Sequence, residues 1–172
     1  LGSVLDASGV KMSGAVAASF RQDANNAQNK FRVDQALLSI TYQPKEGFGA
    51  VVDVASGDDL VFNGDDSTSA SLTQAFLQYK SGALTVQGGR FYTAAGYEVF
   101  PVTGNLFVTR SATFNKESTY HTGLRASYAA TDAFTLNLGV NDGIYQNLEG
   151  GSSVTSDKAF EVGAVLALTS DL

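Results

Sequence analysis

The feature that most constrains this chain is a strict alternation of apolar residues with polar or small ones. In residues 133–142, AFTLNLGVND, the side chains of Phe134, Leu136, Leu138 and Val140 alternate with threonine, asparagine and glycine. Successive side chains of a β-strand point to opposite faces, so this segment has one apolar face and one polar face. A fold built from it must place the apolar face away from water.

The same alternation recurs along the chain and predicts eight strands. They lie near residues 10–20, 33–43, 47–55, 70–79, 82–91, 119–129, 133–142 and 159–169. Only the fourth is ambiguous, because Leu77 and Tyr79 fall on one face and Phe76 on the other. Each strand is about 10 residues long, which is enough to cross a bilayer when tilted.

The connections between these strands alternate in length. Those after the second, fourth and sixth strands are short, with the sequences PKEG, KSG and ATD, whereas the others are long. A soluble β-sandwich has no reason to place every long loop at one end. An outer-membrane barrel has long extracellular loops and short periplasmic turns.

Aromatic residues fall near the two ends of the predicted strands. Phe20, Phe91, Tyr120 and Phe160 lie near the long-loop end, and Tyr42, Phe48, Tyr79, Tyr128 and Phe134 lie near the short-turn end. Such belts are typical of membrane interfaces. The sequence therefore predicts an all-β fold, a transmembrane antiparallel up-and-down β-barrel with its apolar rows towards lipid. The alternative is a soluble all-β domain with these rows in its core, although the opposite rows are rich in alanine and glycine.

Composition and motifs argue against several other classes of function. The chain has no cysteine, which excludes thiolate chemistry, and its net charge of −6 argues against binding nucleic acid. No nucleotide-binding or zinc motif occurs, and the acidic pairs 58–59 and 65–66 lack calcium-loop spacing. We therefore expect no catalytic residue, no metal site and no cofactor. An enzyme barrel using His121, the only histidine, stays as a lesser alternative.

Several segments together resemble a known family. They are VLDASGVKMSGAVAASF, EGFGAVVDVASGDD, QAFLQYKSGALTVQGGRFYTAAGYEV, GNLFVTRSATF and HTGLRASYAATDAFTLNLGVNDG. From about residue 4 to 150 the chain resembles the second family of β-barrel porins, called OmpL-like. The resemblance implies a Gram-negative outer-membrane protein with more than eight strands. The chain departs from such barrels at LALTSDL, because no strand ending in an aromatic residue follows.

This departure sets our expectation for domain organisation. Residues 1–172 are expected to form one outer-membrane β-barrel domain, the N-terminal half of a longer porin. The alternative is a complete eight-stranded barrel, which would be filled by its own side chains.

The connection 92–118 is the strongest candidate for a functional segment, because structureless loops are seldom so long. It carries apolar residues and is the third long loop, which general porins fold into the channel; that comparison is an analogy. We expect Phe107 to pack on small wall residues, namely Ala15, Ala17, Gly123 and Gly139. The alternatives are an extra strand pair or an outward-packed loop.

Charged residues on this connection and on the polar rows are the candidate pore lining. Arg90, Glu98 and Arg110 are the predicted constriction charges, and the wall is predicted to contribute Lys11, Asp53, Arg125 and Glu161. The predicted function is passive diffusion of small hydrophilic solutes. The expected partners are outer-membrane lipids, those solutes, and further copies of the chain or another protein. The alternative is a structural or docking barrel that binds a partner through its long loops.

Overall fold

The computed structural model describes residues 7–22, 29–58, 70–143 and 158–167. They form one eight-stranded antiparallel sheet in which each strand pairs with the next along the chain. The strands are β1 Lys11–Gln22, β2 Asn29–Tyr42, β3 Gly47–Ser56, β4 Ser71–Ser81, β5 Leu84–Tyr92, β6 Tyr120–Thr131, β7 Phe134–Asn141 and β8 Ala159–Leu166. Two 3-10 turns, Val102–Gly104 and Phe114–Lys116, lie between β5 and β6. No helix among these residues is long and apolar enough to cross a membrane.

All eight predicted strands are confirmed, and so is the alternation of long and short connections. The short turns are 43–46, 82–83 and 132–133, and each lies between two longer connections. The largest difference is at β2, which begins at Asn29 rather than near residue 33, so the β1–β2 connection is shorter than predicted.

Two β-bulges explain where simple alternation fails. On β2, Ala17 pairs with Gln35 and Ala18 with Val33, which leaves Asp34 as the extra residue. On β4, Asp53 pairs with Gln74 and Val54 with Leu72, so Thr73 is extra. A bulge shifts the register of the strand by one residue. Beyond it, the residues that would have pointed to one face of the sheet point to the other. The early start of β2 follows from this shift, whereas the ambiguity of the fourth strand comes from Phe76, which pairs with Val51 on the polar face.

The two faces of the sheet differ sharply in chemistry. The apolar face carries one exposed aliphatic row per strand, represented by Val16, Leu38, Val52, Leu77, Val86, Leu124, Leu138 and Val162. The opposite face, called here the polar face, includes the buried side chains of Gln35, Gln78, Arg125, Asn137 and Asn141. The soluble alternative required the apolar rows to form the core, whereas they are the exposed ones.

Aromatic pairs mark both ends of the apolar face. The rings of Phe20 and Phe31 lie 5.0 Å apart beside the β1–β2 connection, and those of Phe48 and Tyr79 lie 4.8 Å apart beside the short turns. Phe91 does not belong to these belts, because it is only 1% exposed and pairs with His121 on the polar face. Its assignment to the aromatic belt was therefore wrong.

The sheet formed by the described strands is open. Hydrogen-bonded pairing runs from β1 to β8, and among these strands no pair joins β8 back to β1. A closed barrel needs that last pairing. The described strands thus do not form the complete eight-stranded barrel considered as an alternative.

Candidate functional site

The long β5–β6 loop, residues 93–119, lies against the polar face of the sheet. Its Phe100, Val102 and Phe114 side chains are buried. The ring of Phe100 lies 5.6 Å from that of Tyr92, at the end of β5. The expected folding of this segment onto the polar rows is therefore observed, and it forms two short 3-10 turns rather than a strand pair.

The side chain of Gln35, on the polar face, holds the β5–β6 loop by two hydrogen bonds. Its side-chain Nε2 donates to the Phe100 carbonyl oxygen at 3.2 Å, and its Oε1 accepts from the Val102 N–H at 2.8 Å. A primary amide thus offers the loop the donor and acceptor that a neighbouring strand would offer. Gln35 is only 1% exposed, so breaking the contact would leave the Val102 N–H unsatisfied in a buried position. We call this arrangement the Gln35 clamp.

Contacts within the loop give it a shape of its own. The Asn105 side chain accepts from the Val99 N–H at 2.8 Å and donates to the Val99 carbonyl oxygen at 2.7 Å. Arg110 donates to the Phe100 carbonyl oxygen, and its guanidinium lies 4.8 Å from the centre of the Phe114 ring. Glu98 accepts from the Ser111 N–H at 3.2 Å. Two predicted constriction charges, Glu98 and Arg110, therefore also help to organise the loop.

The predicted contact of Phe107 with the wall is wrong. Phe107 is 74% exposed, and the loop aromatics that are buried are Phe100 and Phe114. The small wall residues serve a different purpose. A Cβ on Gly123 would lie 2.6 Å from Asn141 Oδ1, and one on Gly139 would lie 3.3 Å from Glu161 Oε2. At Gly123 the nearest atom is the Val140 carbonyl oxygen, so these glycines make room for the neighbouring backbone as well as for polar side chains of the wall.

Arg125 and Glu161 come together on the polar face. Arg125 Nη2 lies 2.9 Å from Glu161 Oε2, and both side chains are mostly buried. The strand register places Gly139 between them, because it pairs with Arg125 on one side and Glu161 on the other. Asn141 Nδ2 also donates to Glu161 Oε2, at 3.2 Å. Arg125 further lies 4.3 Å from the centre of the Phe91 ring.

The other predicted wall charges lie apart from this pair. Asp53 is on the polar face of β3, where its Oδ2 accepts from Gln74 Nε2 at 2.6 Å. Lys11 is exposed at the start of β1 and pairs with Thr41. Arg90 does not join the polar face, because its strand partners Ala75 and Thr122 belong to the apolar rows.

Arg90 instead contacts groups at the rim of the sheet. It donates to the Leu72 carbonyl oxygen at 3.0 Å, and its guanidinium lies 4.4 Å from the centre of the Tyr120 ring. Alternation from Leu84 and Val86 already places Arg90 in the apolar row, a signal that the sequence prediction did not use. The register therefore places Arg90 on the apolar face, whereas the predicted wall charges lie in the polar rows.

His121 and the acidic residues form no metal or catalytic cluster among the described residues. His121 Nε2 lies 3.3 Å from Thr93 Oγ1. Within the described residues, no group of three or more His, Asp or Glu side chains could hold a metal ion. Asp58 pairs with Arg32 at 3.1 Å, while residues 59, 65 and 66 lie outside the described part of the chain.

Known proteins similar to this chain include a protein family and a solved structure. The crystal structure of Pseudomonas aeruginosa OccD3 (OpdP) matches with a TM-score of 0.49 and 12% sequence identity, over 90% of this chain and 36% of that chain. The chain thus spans little more than a third of that protein's length. No curated protein matches. The family described as "Putative beta-barrel porin-2, OmpL-like" matches residues 9–171. This chain therefore belongs to the OmpL-like family of β-barrel porins.

Proposed function

We propose that this protein is an outer-membrane channel through which small hydrophilic solutes diffuse passively. The observation that carries the proposal is the distribution of side chains on the sheet, which is the reverse of that in a soluble protein. The aliphatic rows are exposed on one face, and buried hydrogen-bonding side chains lie on the other. Lipid would cover the apolar face, and solutes would pass along the polar face. Selectivity would come from the bore, the wall charges and the β5–β6 loop, with no reaction on the solute.

Bilayer recording of the purified full-length protein tests this proposal. We expect discrete conductance steps in KCl, and swelling of protein-containing liposomes in small neutral sugars but not in large ones. Heat-denatured protein at the same concentration is the control for leakage. Absence of both steps and swelling would contradict a diffusion channel.

A docking role is the second candidate, because part of the loop presents apolar side chains to solvent. Tyr97, Leu106 and Phe107 are all exposed on the β5–β6 loop. Isolated exposed apolar residues are common, but several on one loop are typical of a binding surface. Further copies of the chain or another protein would be the partner. Binding of a partner through this loop, together with the absence of current in bilayer recording, would favour docking over transport.

The proposed topology places the β5–β6 loop outside the cell and the β4–β5 turn in the periplasm. The chain contains no cysteine, so single cysteines report on location without background. We expect a membrane-impermeant maleimide to label Ala112→Cys on intact cells and to leave Ser81→Cys unlabelled. Both positions are exposed in the structure, so both should react after lysis. Labelling of Ser81→Cys on intact cells would reverse the topology.

A further inference from the structure

A row of polar side chains crosses four neighbouring strands at one level. Ser13 pairs with Ser39, Ser39 with Asp53, and Asp53 with Gln74. The β5–β6 loop approaches this row through Pro101 and Thr103, at the 3-10 turn that begins with Val102 of the Gln35 clamp. Between wall and loop is a cavity of about 400 Å³, lined by Ser13, Ser39, Asp53, Tyr92, Pro101 and Thr103 among others. Its volume lies in the range of small-molecule sites.

Asp53 gives this cavity a negative charge, and it belongs to none of the ion pairs found among the described residues. The ion pairs of the described residues join Arg32 to Asp58, Arg125 to Glu161 and Lys158 to Asp142. Asp53 receives only a neutral hydrogen bond at Oδ2, from Gln74. Its Oδ1 is buried and has no hydrogen-bond partner there. A partly buried carboxylate is stabilised by a nearby positive charge, so this wall favours a cation.

The hydrogen-bonding neighbours of Asp53 are held in place by a short network. Gln74 Oε1 accepts from the Tyr92 N–H at 3.0 Å, and the Tyr92 hydroxyl donates to Thr73 Oγ1 at 2.9 Å. Thr73 is the extra residue of the β4 bulge, and its hydroxyl donates to the Asp53 carbonyl oxygen at 3.2 Å. Thr73 of the bulge therefore joins the Asp53 backbone to the Tyr92 hydroxyl, while Gln74 holds the Asp53 carboxylate.

We infer that this cavity binds the primary ammonium group of a small hydroxylated solute. Asp53 would supply the opposing charge, and the hydroxyl groups of Ser13, Ser39 and Thr103 would accept from ammonium or donate to solute oxygens. An anionic solute would be disfavoured by the same carboxylate. The inference rests on the proposed channel function. It adds to that function the class of solute that would bind along the wall.

Glucosamine is a suitable probe, with the uncharged N-acetylglucosamine as its matched control. Calorimetric titration of the full-length protein in detergent is expected to show binding of glucosamine and much weaker binding of N-acetylglucosamine. Asp53→Asn keeps the shape of the side chain and should weaken glucosamine binding by about ten- to a hundredfold, as loss of a charge-assisted contact implies. Asp132→Asn removes the same charge from an exposed turn and should change nothing.

A second variant, Ser39→Ala, and competition by sodium complete the binding experiment. Ser39→Ala leaves the charge in place and should weaken binding by only a few-fold, about the value of one neutral hydrogen bond. It also keeps the inference testable if Asp53→Asn does not fold. Equal binding of both sugars, or unchanged binding in Asp53→Asn, would overturn the inference. So would full competition by sodium at equal concentration, which would mean a site for inorganic cations.

Bilayer recording separates this inference from the proposed function. Conductance in KCl without any glucosamine binding would overturn the ammonium site and leave the channel standing. Glucosamine binding by a protein that carries no current would overturn the channel and leave the site. If both hold, millimolar glucosamine should reduce the current through the wild-type protein and have little effect on Asp53→Asn.

Discussion

Replacing Leu138 with arginine is expected to destabilise the folded protein by about 2–4 kcal/mol in a lipid bilayer. Leu138 lies in the middle of β7 on the apolar face, where the register places it between Ala126 and Val162. It is 50% exposed in the structure, and the proposed membrane would cover that surface. A guanidinium there must leave water for hydrocarbon, and no acidic residue lies at either paired position. A urea refolding titration in lipid vesicles measures the loss.

Thr135→Arg is the control on the polar face of the same strand, nearer to the short turn than Leu138. Thr135 pairs with Ala129 and Val165, and it is only partly buried. Its arginine can extend along the wall, so we expect a change of about 0.5 kcal/mol or less. Asn137 would be a poor control, because it is buried and accepts from the Ser127 hydroxyl at 2.6 Å. A larger loss for Thr135→Arg than for Leu138→Arg would mean that the polar face is the lipid-facing one.

The strands were predictable because alternation is a property of each strand alone. Rows such as Phe134, Leu136 and Leu138 report their face without knowledge of any partner strand. The bulges at Asp34 and Thr73 were not predicted, because an extra residue is defined by the register of two strands. The adjacent polar residues Asp34 and Gln35 were a usable signal, since they interrupt an otherwise regular alternation.

The candidate site was predictable only in part, for a related reason. Arg125 and Glu161 were both predicted to line the wall, but their contact depends on two strand registers and on the missing side chain at Gly139. Gln35 was missed as a functional residue because its polar row holds other uncharged hydrogen-bonding residues, such as Ser39 and Thr41. Gln35 differs from these residues because the β5–β6 loop folds over it. Its partner Phe100 is 65 residues away in the sequence, so the residues around Gln35 do not indicate the contact.

The Gln35 clamp leads to the second large expected effect. Gln35→Ala should shift the β5–β6 loop from its docked position towards an undocked one. The substitution removes two hydrogen bonds and leaves the Val102 N–H and the Phe100 carbonyl oxygen without that partner. Each lost bond costs about 0.5–1.5 kcal/mol, and leaving the buried Val102 N–H unsatisfied costs about 1–3 kcal/mol, whereas the Phe100 carbonyl oxygen keeps its hydrogen bond from Arg110. Even about 2–3 kcal/mol would change the ratio of docked to undocked loop by about 30- to 150-fold.

Single-channel recording and limited proteolysis measure this shift independently. We expect Gln35→Ala to show a higher and more variable conductance, and faster tryptic cleavage after Arg110, which is partly buried in the docked loop. Gln35→Glu keeps an acceptor for the Val102 N–H but turns a buried carboxylate oxygen towards the Phe100 carbonyl oxygen, so it should undock the loop at least as much as Gln35→Ala. Gln43→Ala removes a glutamine near the short turns, where its Nε2 donates to Gln78 rather than to the loop, and should behave like the wild type.

The two measurements together locate the loop relative to the path of the solute. Faster cleavage with higher conductance would mean that the docked loop narrows the bore, because the buried Phe100 and Val102 hold it against the wall. Faster cleavage with unchanged conductance would mean that the loop leaves the wall without opening the path. The exposed Tyr97, Leu106 and Phe107 would then be better explained as a surface for a partner, and docking would become the favoured function. Unchanged cleavage and conductance would show that contacts other than the Gln35 clamp hold the loop.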